Sequence, residues 1–246
     1  MNTDNGGKPY IMSASILGAS FVLAAIVAGI TFYQIRMGDN LITVTGSAKQ
    51  AVMADSGKWT AGITRNVNIS GLKSGYVQMD NDTKAVKEFL AGQGFKESDY
   101  TISPVFMNED YSYNNSGANL PKQYNLTETL TLSSNDISKI TAVAKSSASL
   151  ASIGVVISTQ ALEYYYSKLP DLRVSLLSAA IADAKARAEK LAEAGGAKVG
   201  KLRNASSGVV QVIAPNSVDV SDYGSYDTSS VNKEVMITVK ASFALN

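Results

Sequence analysis

The chain has 246 residues, 45% of them hydrophobic and 17% charged, with a formal net charge of +1, no histidine and no cysteine. Lacking histidine, it has neither the usual general base at neutral pH nor an imidazole metal ligand; lacking cysteine, it has no disulfide, thiolate nucleophile or thiolate metal site. These two absences leave few enzyme classes open, and the near-neutral balance gives no basic field, so nucleic acid is not an expected partner.

Ile11 to Tyr33 carries no charge over 23 residues. At ~1.5 Å per residue a helix of that length covers roughly 34 Å, enough for a hydrocarbon core of about 30 Å. Tyr10 and Tyr33 flank it, with Lys8 and Arg36 just outside, as interfacial anchors do. The expectation is an uncleaved transmembrane anchor over 11–35, with residues 1–10 as a cytoplasmic N-terminus. A cleaved signal sequence with a small-residue site at Val27-Ala28-Gly29 is the rival, disfavoured by a weakly basic start and an apolar run that continues past the site. Lys8 and Arg36 nearly tie under the positive-inside rule. Small residues four apart, such as Ala14/Gly18 and Ala25/Gly29, would let two such helices approach closely, although alanine and glycine are common in membrane helices generally.

A strand begins at Leu41, and a second carries Trp59, Ala61, Ile63, Arg65, Val67 and Ile69 on one alternation. The period then changes: Leu72, Tyr76, Met79, Thr83, Val86 and Leu90 mark one helix face, ended by Gly92 and Gly94. SDYTISPVFM and YNLTETLTLSS read as strands around a polar loop. Asn135-Asp136 caps a helix running to about Leu150, which leads into the strand IGVVISTQALEYYYS. Pro170 opens a third helix with an expected buried stripe of Val174, Leu177, Ile181, Ala184, Ala188 and Leu191 and solvent pairs Asp183/Arg187 and Lys185/Glu189. Gly195 and Gly196 stop it, and the strands KLRNASSGVVQVI and KEVMITVKASFAL follow. The order strand–helix–Gly stop–strand–loop–strand occurs at about 57–132 and again at about 153–244. The fold expected is α+β, with two βαββ-like halves and an extra helix between them.

AEAGGAKVGKL, Ala192 to Leu202, has most of a phosphate-loop pattern in Gly195 and Gly200-Lys201. A phosphate loop must leave a strand and open a helix, whereas these glycines close a helix, and Leu202 stands where a magnesium-binding hydroxyl is needed. The stretch is a helix stop, so no nucleotide is expected.

ADAKARAEKLAEAGGAKVGKL, Ala182 to Leu202, resembles the signature of the SIMPL-domain family, an Ala-rich AxxxAxxLAxxxG helix that ends in glycine and runs into a strand. LITVTGSAKQAVMAD, Leu41 to Asp55, resembles that family's opening strand, with Met53-Ala54 where a proline often precedes the Asp. The similarity covers roughly residues 41–245; the Tyr-rich inserts at 107–122 and 214–232 match no motif. The resemblance implies a mixed α+β domain over 41–246, in the periplasm or otherwise outside the cytoplasm, held by a single pass in the bacterial inner membrane. It further implies homo-oligomers that build large ring- or channel-like particles, some linked to envelope and oxidative stress. The family has no established reaction, so no catalytic residue and no cofactor is carried over.

Tyr164-Tyr165-Tyr166 ends a strand, and alternation separates Tyr165 from its neighbours. One core tyrosine with two surface ones is the plain reading; a subunit contact through Tyr164 and Tyr166 is the sharper one. The loops around Tyr111, Tyr113, Tyr223 and Tyr226 are rich in Ser, Asn, Gly and Asp; if ordered, they too are interface candidates. Asp219, Asp222 and Asp227 lack the regular spacing and closing Glu of a calcium loop. Lys145 beside Ser146-Ser147 has no Gly elbow or oxyanion donor. The expected role is therefore structural rather than enzymatic, with the chain itself and the bilayer as partners; a small-ligand or protein-binding sensor is the alternative.

Overall fold

The computed structural model describes residues 8–37, 40–110, 122–217 and 221–246. In chain order the elements are α1 (Lys8–Met37), β1 (Leu41–Met53), β2 (Ser56–Asn68), α2 (Leu72–Gly92), β3 (Tyr100–Ile102), β4 (Phe106–Asp110), β5 (Gln123–Ser134), α3 (Ile137–Ser146), β6 (Ile157–Tyr165), α4 (Leu169–Ala194), β7 (Val199–Ser207), β8 (Gln211–Ile213), β9 (Ser225–Tyr226) and β10 (Asn232–Leu245). The fold is α+β, with an apolar helix ahead of a sheet-rich domain.

Within α1, Ser13–Tyr33 is long and apolar enough to cross a bilayer. Its hydroxyls do not demand solvent: Ser20 Oγ donates to the Ile16 carbonyl and Thr31 Oγ1 to that of Val27, both at 2.8 Å. Polar groups satisfied within the helix are those hydrocarbon tolerates.

The chain forms two compact units. The first comprises 1–48, 177–208 and 238–246, and the second 49–176 and 209–237. In the second unit a sheet runs in the order β3-β5-β2-β6, with β4 also on β5. Cross-strand pairs Trp59–Leu132, Ala61–Leu130 and Arg65–Leu126 put alternate residues of β2 and β5 on one face. α2 and α3 cover that face through Met79, Val86, Leu90, Ile140 and Val143, all packed with Trp59, Ile63 and Leu130 in one buried cluster. Trp59 Nε1 donates to Thr159 Oγ1 at 3.1 Å, so the largest core side chain is also satisfied.

Several elements differ from the sequence reading for local reasons. The strand expected over 98–107 breaks at Pro104, which has no N–H for the ladder. Ser103 just before it exchanges two 2.9 Å bonds with Thr129, closing β3 and releasing β4. The helix expected to reach Leu150 stops at Ser146 and tightens into a 3₁₀ segment, Ser147–Ile153. Ser146, Ser147, Ser149 and Ser152 each donate to the carbonyl three residues back, which favours that tighter winding. Gly154 then leaves it at φ 84°, a left-handed conformation suited to glycine. α2 buries Gly75, Met79, Asp82, Val86 and Leu90, while Tyr76 is exposed.

In the first unit the second part of α4 lies on β1. The buried line of α4 is Leu172, Leu176, Ala180, Ala184, Ala188 and Ala192, whereas Val174 is 66% and Leu191 59% exposed. The expected stripe was thus rotated toward the larger hydrophobics. Gly46 of β1 gives the reason: a Cβ there would fall 2.7 Å from Ala184 Cβ and nearer still to the Ala180 carbonyl oxygen and the Ala184 nitrogen. Strand and helix backbones touch, and only alanines leave room. Ser47 N–H extends the contact, donating to Asp183 Oδ2 at 2.8 Å. That bond, with the bond donated by Arg187 Nε at 2.8 Å, holds the Asp183 carboxyl below its ordinary range.

The repeat drawn from the sequence makes β6 the counterpart of β2. β2 lies between β5 and β6, but β6 does not join β10, whose neighbours are β1, β7 and β8. The strand order therefore departs from two equivalent βαββ halves with β6 opening the second.

Candidate functional site

Of the six tyrosines named as interface candidates, the four within the described residues fall in three different settings. Tyr111 and Tyr113 lie outside the described residues. Tyr164 is a core residue: it is 6% exposed, its hydroxyl meets Thr141 Oγ1 at 2.8 Å, and its N–H donates to the Thr228 carbonyl at 2.7 Å. It has no face left for another subunit, which corrects its place among the interface candidates. The cause is a bulge. β6 pairs Ala61 with Thr159 and Thr60 with Ala161, leaving Gln160 as an extra residue. A one-residue slip exchanges the two faces of a strand, so Leu162 and Tyr164 point inward where unbroken alternation from Thr159 would have chosen Tyr165.

Tyr165, Tyr166 and Tyr226 form a second setting. The rings of Tyr165 and Tyr226 lie 6.0 Å apart, tilted by 36°. The Tyr226 hydroxyl accepts the Tyr166 N–H at 3.0 Å. Lys58 Nζ stands 5.7 Å from the Tyr165 ring centre and pairs with Glu163 at 2.6 Å; the pairing raises the lysine pKa and lowers that of the glutamate. Asp55 ties the turn after β6, accepting from Ser167 N–H and Oγ at 2.8 Å each.

The loop into β10 is ordered from within the chain. Asp227 accepts from Ser229 N–H at 2.8 Å, from Ser229 Oγ at 2.7 Å and from Ser230 Oγ. Lys233 is fully buried and donates to the Asp227 carbonyl, with Nζ 5.8 Å from the Tyr226 ring centre and 4.0 Å from the Asp227 carboxylate. Burial pushes the Lys233 ammonium down, and Asp227 opposes it. Burial pushes the Asp227 carboxyl up, but the Ser229 bonds and Lys233 together hold it below its ordinary value. An enclosed ammonium with these partners is a clasp for the loop. The sequence reading missed Lys233, although the alternation Lys233, Val235, Ile237, Val239 marks it as facing inward.

Tyr223 is the third setting, 97% exposed at the tip of the same loop. Beside it a groove of about 270 Å³ is lined by Arg173, Val212, Tyr223 and Tyr226.

Two carboxylates of the second unit are buried, and both are engaged. Asp82 takes Arg65 in a two-bond clasp, Nε to Oδ2 at 2.6 Å and Nη2 to Oδ1 at 2.7 Å, while Nη2 also reaches the Gly154 carbonyl at 2.7 Å. Glu128 accepts from Thr83 Oγ1. Among the described residues no group of three acidic side chains gathers as metal ligands would. Gly195 and Gly196 close α4 ahead of β7, with Ala197 N–H on the Ala192 carbonyl at 2.9 Å and Gly196 at φ 75°, a left-handed helix stop.

If Tyr226 latches the loop, Tyr226→Phe should keep the ring contact and lose only the bond from Tyr166. We expect a stability loss of about 1 kcal/mol and faster amide exchange confined to 164–167 and 221–231, read by hydrogen–deuterium exchange. Unchanged exchange there would remove the latch.

Residues 42–243 match the family described as SIMPL, a protein family of unknown function (DUF541). No curated protein matches the chain. The match takes in both quoted signature segments except Leu41, and the structure shows why they go together: Gly46 of one lies on Ala184 of the other.

Proposed function

Because the chain belongs to the SIMPL family, we propose that it is a membrane-anchored protein of the bacterial envelope whose domain, outside the cytoplasm, self-associates into a ring- or channel-like homo-oligomer with a structural role. α1 is the anchor. The role is assembly rather than catalysis, with no cofactor; a connection to envelope or oxidative stress rests on the family resemblance alone.

The observation that carries self-association is a set of exposed apolar side chains where β2 runs into α2. Ile69 and Val77 lie there, with Ile153 and Val156 beside the strand end, and Phe106 (59% exposed) and Met107 lie on β4. The pairing Met107–Leu126–Arg65 and the bond from Thr64 N–H to the Val156 carbonyl put them at one end of the second unit. Exposed apolar surface beside an edge strand is a contact surface, and a closed ring leaves no open edge. The tyrosine contribution narrows to Tyr223, with Tyr166 and Tyr226 beside it.

Light scattering on detergent-extracted protein and on residues 40–246 tests this. We expect large particles of equal subunit number, and their collapse toward the 25.9 kDa chain mass in Phe106→Asp/Met107→Asp. Monomers in both preparations would overturn it. They would favour the sensor reading, for which the groove at Arg173, Tyr223 and Tyr226 is the observation in hand.

A further inference from the structure

The chain as a whole is nearly neutral, but residues 184–203 are not: Lys185, Arg187, Lys190, Lys198, Lys201 and Arg203 stand against only Glu189 and Glu193. Part of this charge is spent locally. Lys185 pairs with Glu189 at 3.7 Å, Arg187 with Asp183 at 2.8 Å and Lys190 with Glu193 at 3.1 Å. Among the described residues, Lys198, Lys201 and Arg203 have no carboxylate partner. Lys201 and Arg203, with Lys185, rim a cleft of about 670 Å³ whose apolar members include Ile181, Leu202 and Phe243. A lining that mixes basic and apolar residues is amphipathic in composition, suited to a ligand with an anionic head and a hydrocarbon body.

The position of the cleft in the chain says which ligand that is. Met37 closes α1 and Leu41 opens β1, four residue steps that span at most ~14 Å. The Asn40 carbonyl accepts the Leu245 N–H at 2.8 Å, and Lys198 and Asn246 exchange backbone bonds of 3.0 and 2.8 Å. The start of β1, the end of β10 and the start of β7 thus form one end of the first unit, tethered within that reach of α1. Leu41, Leu191 and Leu202 are exposed large hydrophobics of the same unit, Leu41 opening β1 and Leu191 and Leu202 lying within a few residues of the two ends of the α4–β7 turn.

We propose that this end of the first unit seats on the bilayer and that the cleft at Lys185, Lys201 and Arg203 holds the headgroup of an anionic phospholipid. The inference rests on α1 being membrane-embedded and adds a second, charge-selective contact made by the folded domain. α1 fixes the chain in the membrane; the cleft fixes the domain's orientation on it.

Full-length protein in mild detergent is titrated with palmitoyl-oleoyl phosphatidylglycerol or the phosphatidylcholine of the same chains, and bound lipid is counted by native mass spectrometry. Phosphatidylglycerol should be retained selectively. Lys201→Gln/Arg203→Gln should weaken it about thirtyfold, roughly fivefold per charge, while Lys201→Arg/Arg203→Lys and the second-unit control Lys84→Gln hold it. Equal retention of both lipids, or a double variant that retains phosphatidylglycerol undiminished, would overturn the proposal. Displacement of the lipid by millimolar inorganic phosphate would assign the cleft to free phosphate and overturn it equally. Carbonate extraction of membranes carrying the full chain tests the anchor separately: release of the protein sinks the anchor, whereas retention with no lipid selectivity sinks only the cleft.

Discussion

Gly46→Ala should destabilise the first unit by about 3 kcal/mol or more. The added methyl would press on the Ala180 carbonyl oxygen and the Ala184 nitrogen, with Ala184 Cβ 2.7 Å away. Two of these three obstacles are backbone, so no rotamer change makes room; β1 must leave α4 or the helix must shift. Overpacking usually costs about 1–3 kcal/mol, and a backbone obstacle belongs at or above the upper end. The Ser47–Asp183 bond, 2.8 Å, would be lost with the same movement. Urea unfolding followed by circular dichroism should show a midpoint lowered to match. Ala184→Gly in the same chain should not rescue it, because the obstructing carbonyl and nitrogen remain. A Gly46→Ala protein with the parent's midpoint would mean that the strand and helix are further apart than described.

Asp82→Ala is the second large effect, placed in the other unit. Asp82 is 4% exposed and takes both ends of the Arg65 fork. Removing it leaves a guanidinium against the α2 face with only the Gly154 carbonyl for company. Breaking a fully buried pair from one side costs about 3–5 kcal/mol, and because the Arg65 side chain is 26% exposed the loss belongs at or below the low end; replacing both partners by apolar groups of similar volume is often neutral. The measurement is therefore a set of three: Asp82→Ala well below the parent, Arg65→Met somewhat below it, and Arg65→Met/Asp82→Leu close to it. Equal losses in all three would show that the pair acts through its packing volume and not its charge.

These two contacts also mark where the sequence was readable and where it was not. Period-two alternation located β5 and β10, Asp136 located the start of α3 through its bond to the Lys139 N–H at 2.9 Å, and Gly195-Gly196 located the end of α4. Those signals are local, so a single sequence carries them. The buried line of α4 is not local. Hydrophobic ranking favours Val174 and Leu191 over Ala180 and Ala192, and only the glycine strand opposite reverses the choice. Tyr164 failed for a related reason: the bulge at Gln160 is set by pairing with β2, and nothing in β6 announces it. Asp82 sits beside the expected apolar face of α2, and its partner Arg65 was already placed on the same alternation of β2 as Trp59 and Ile63. That an arginine on that alternation needs an acid was legible; which acid required the fold. For the candidate site, the sequence singled out tyrosine-rich segments but could not separate the exposed Tyr223 from the buried Tyr164. It ranked neither Lys233 nor the basic run after Ala184 as a site, because each gains its meaning from what lies across from it.

Thr43 and Ser242 touch through their hydroxyls at 2.8 Å although 199 residues separate them. β1 leaves the ribosome early and its neighbour in the sheet, β10, very late, so for most of synthesis the nascent chain holds β1 as an unzipped edge. Contacts this distant in sequence form slowly, and unpaired edges on incomplete chains invite aggregation. Bilayer insertion of α1 during that interval would hold the waiting strand within ~14 Å of the membrane surface, apart from the bulk of other chains. A polypeptide interrupted before β10 would leave β1 unpaired and the α4 alanines without their closed sheet, an open edge free to pair with another chain.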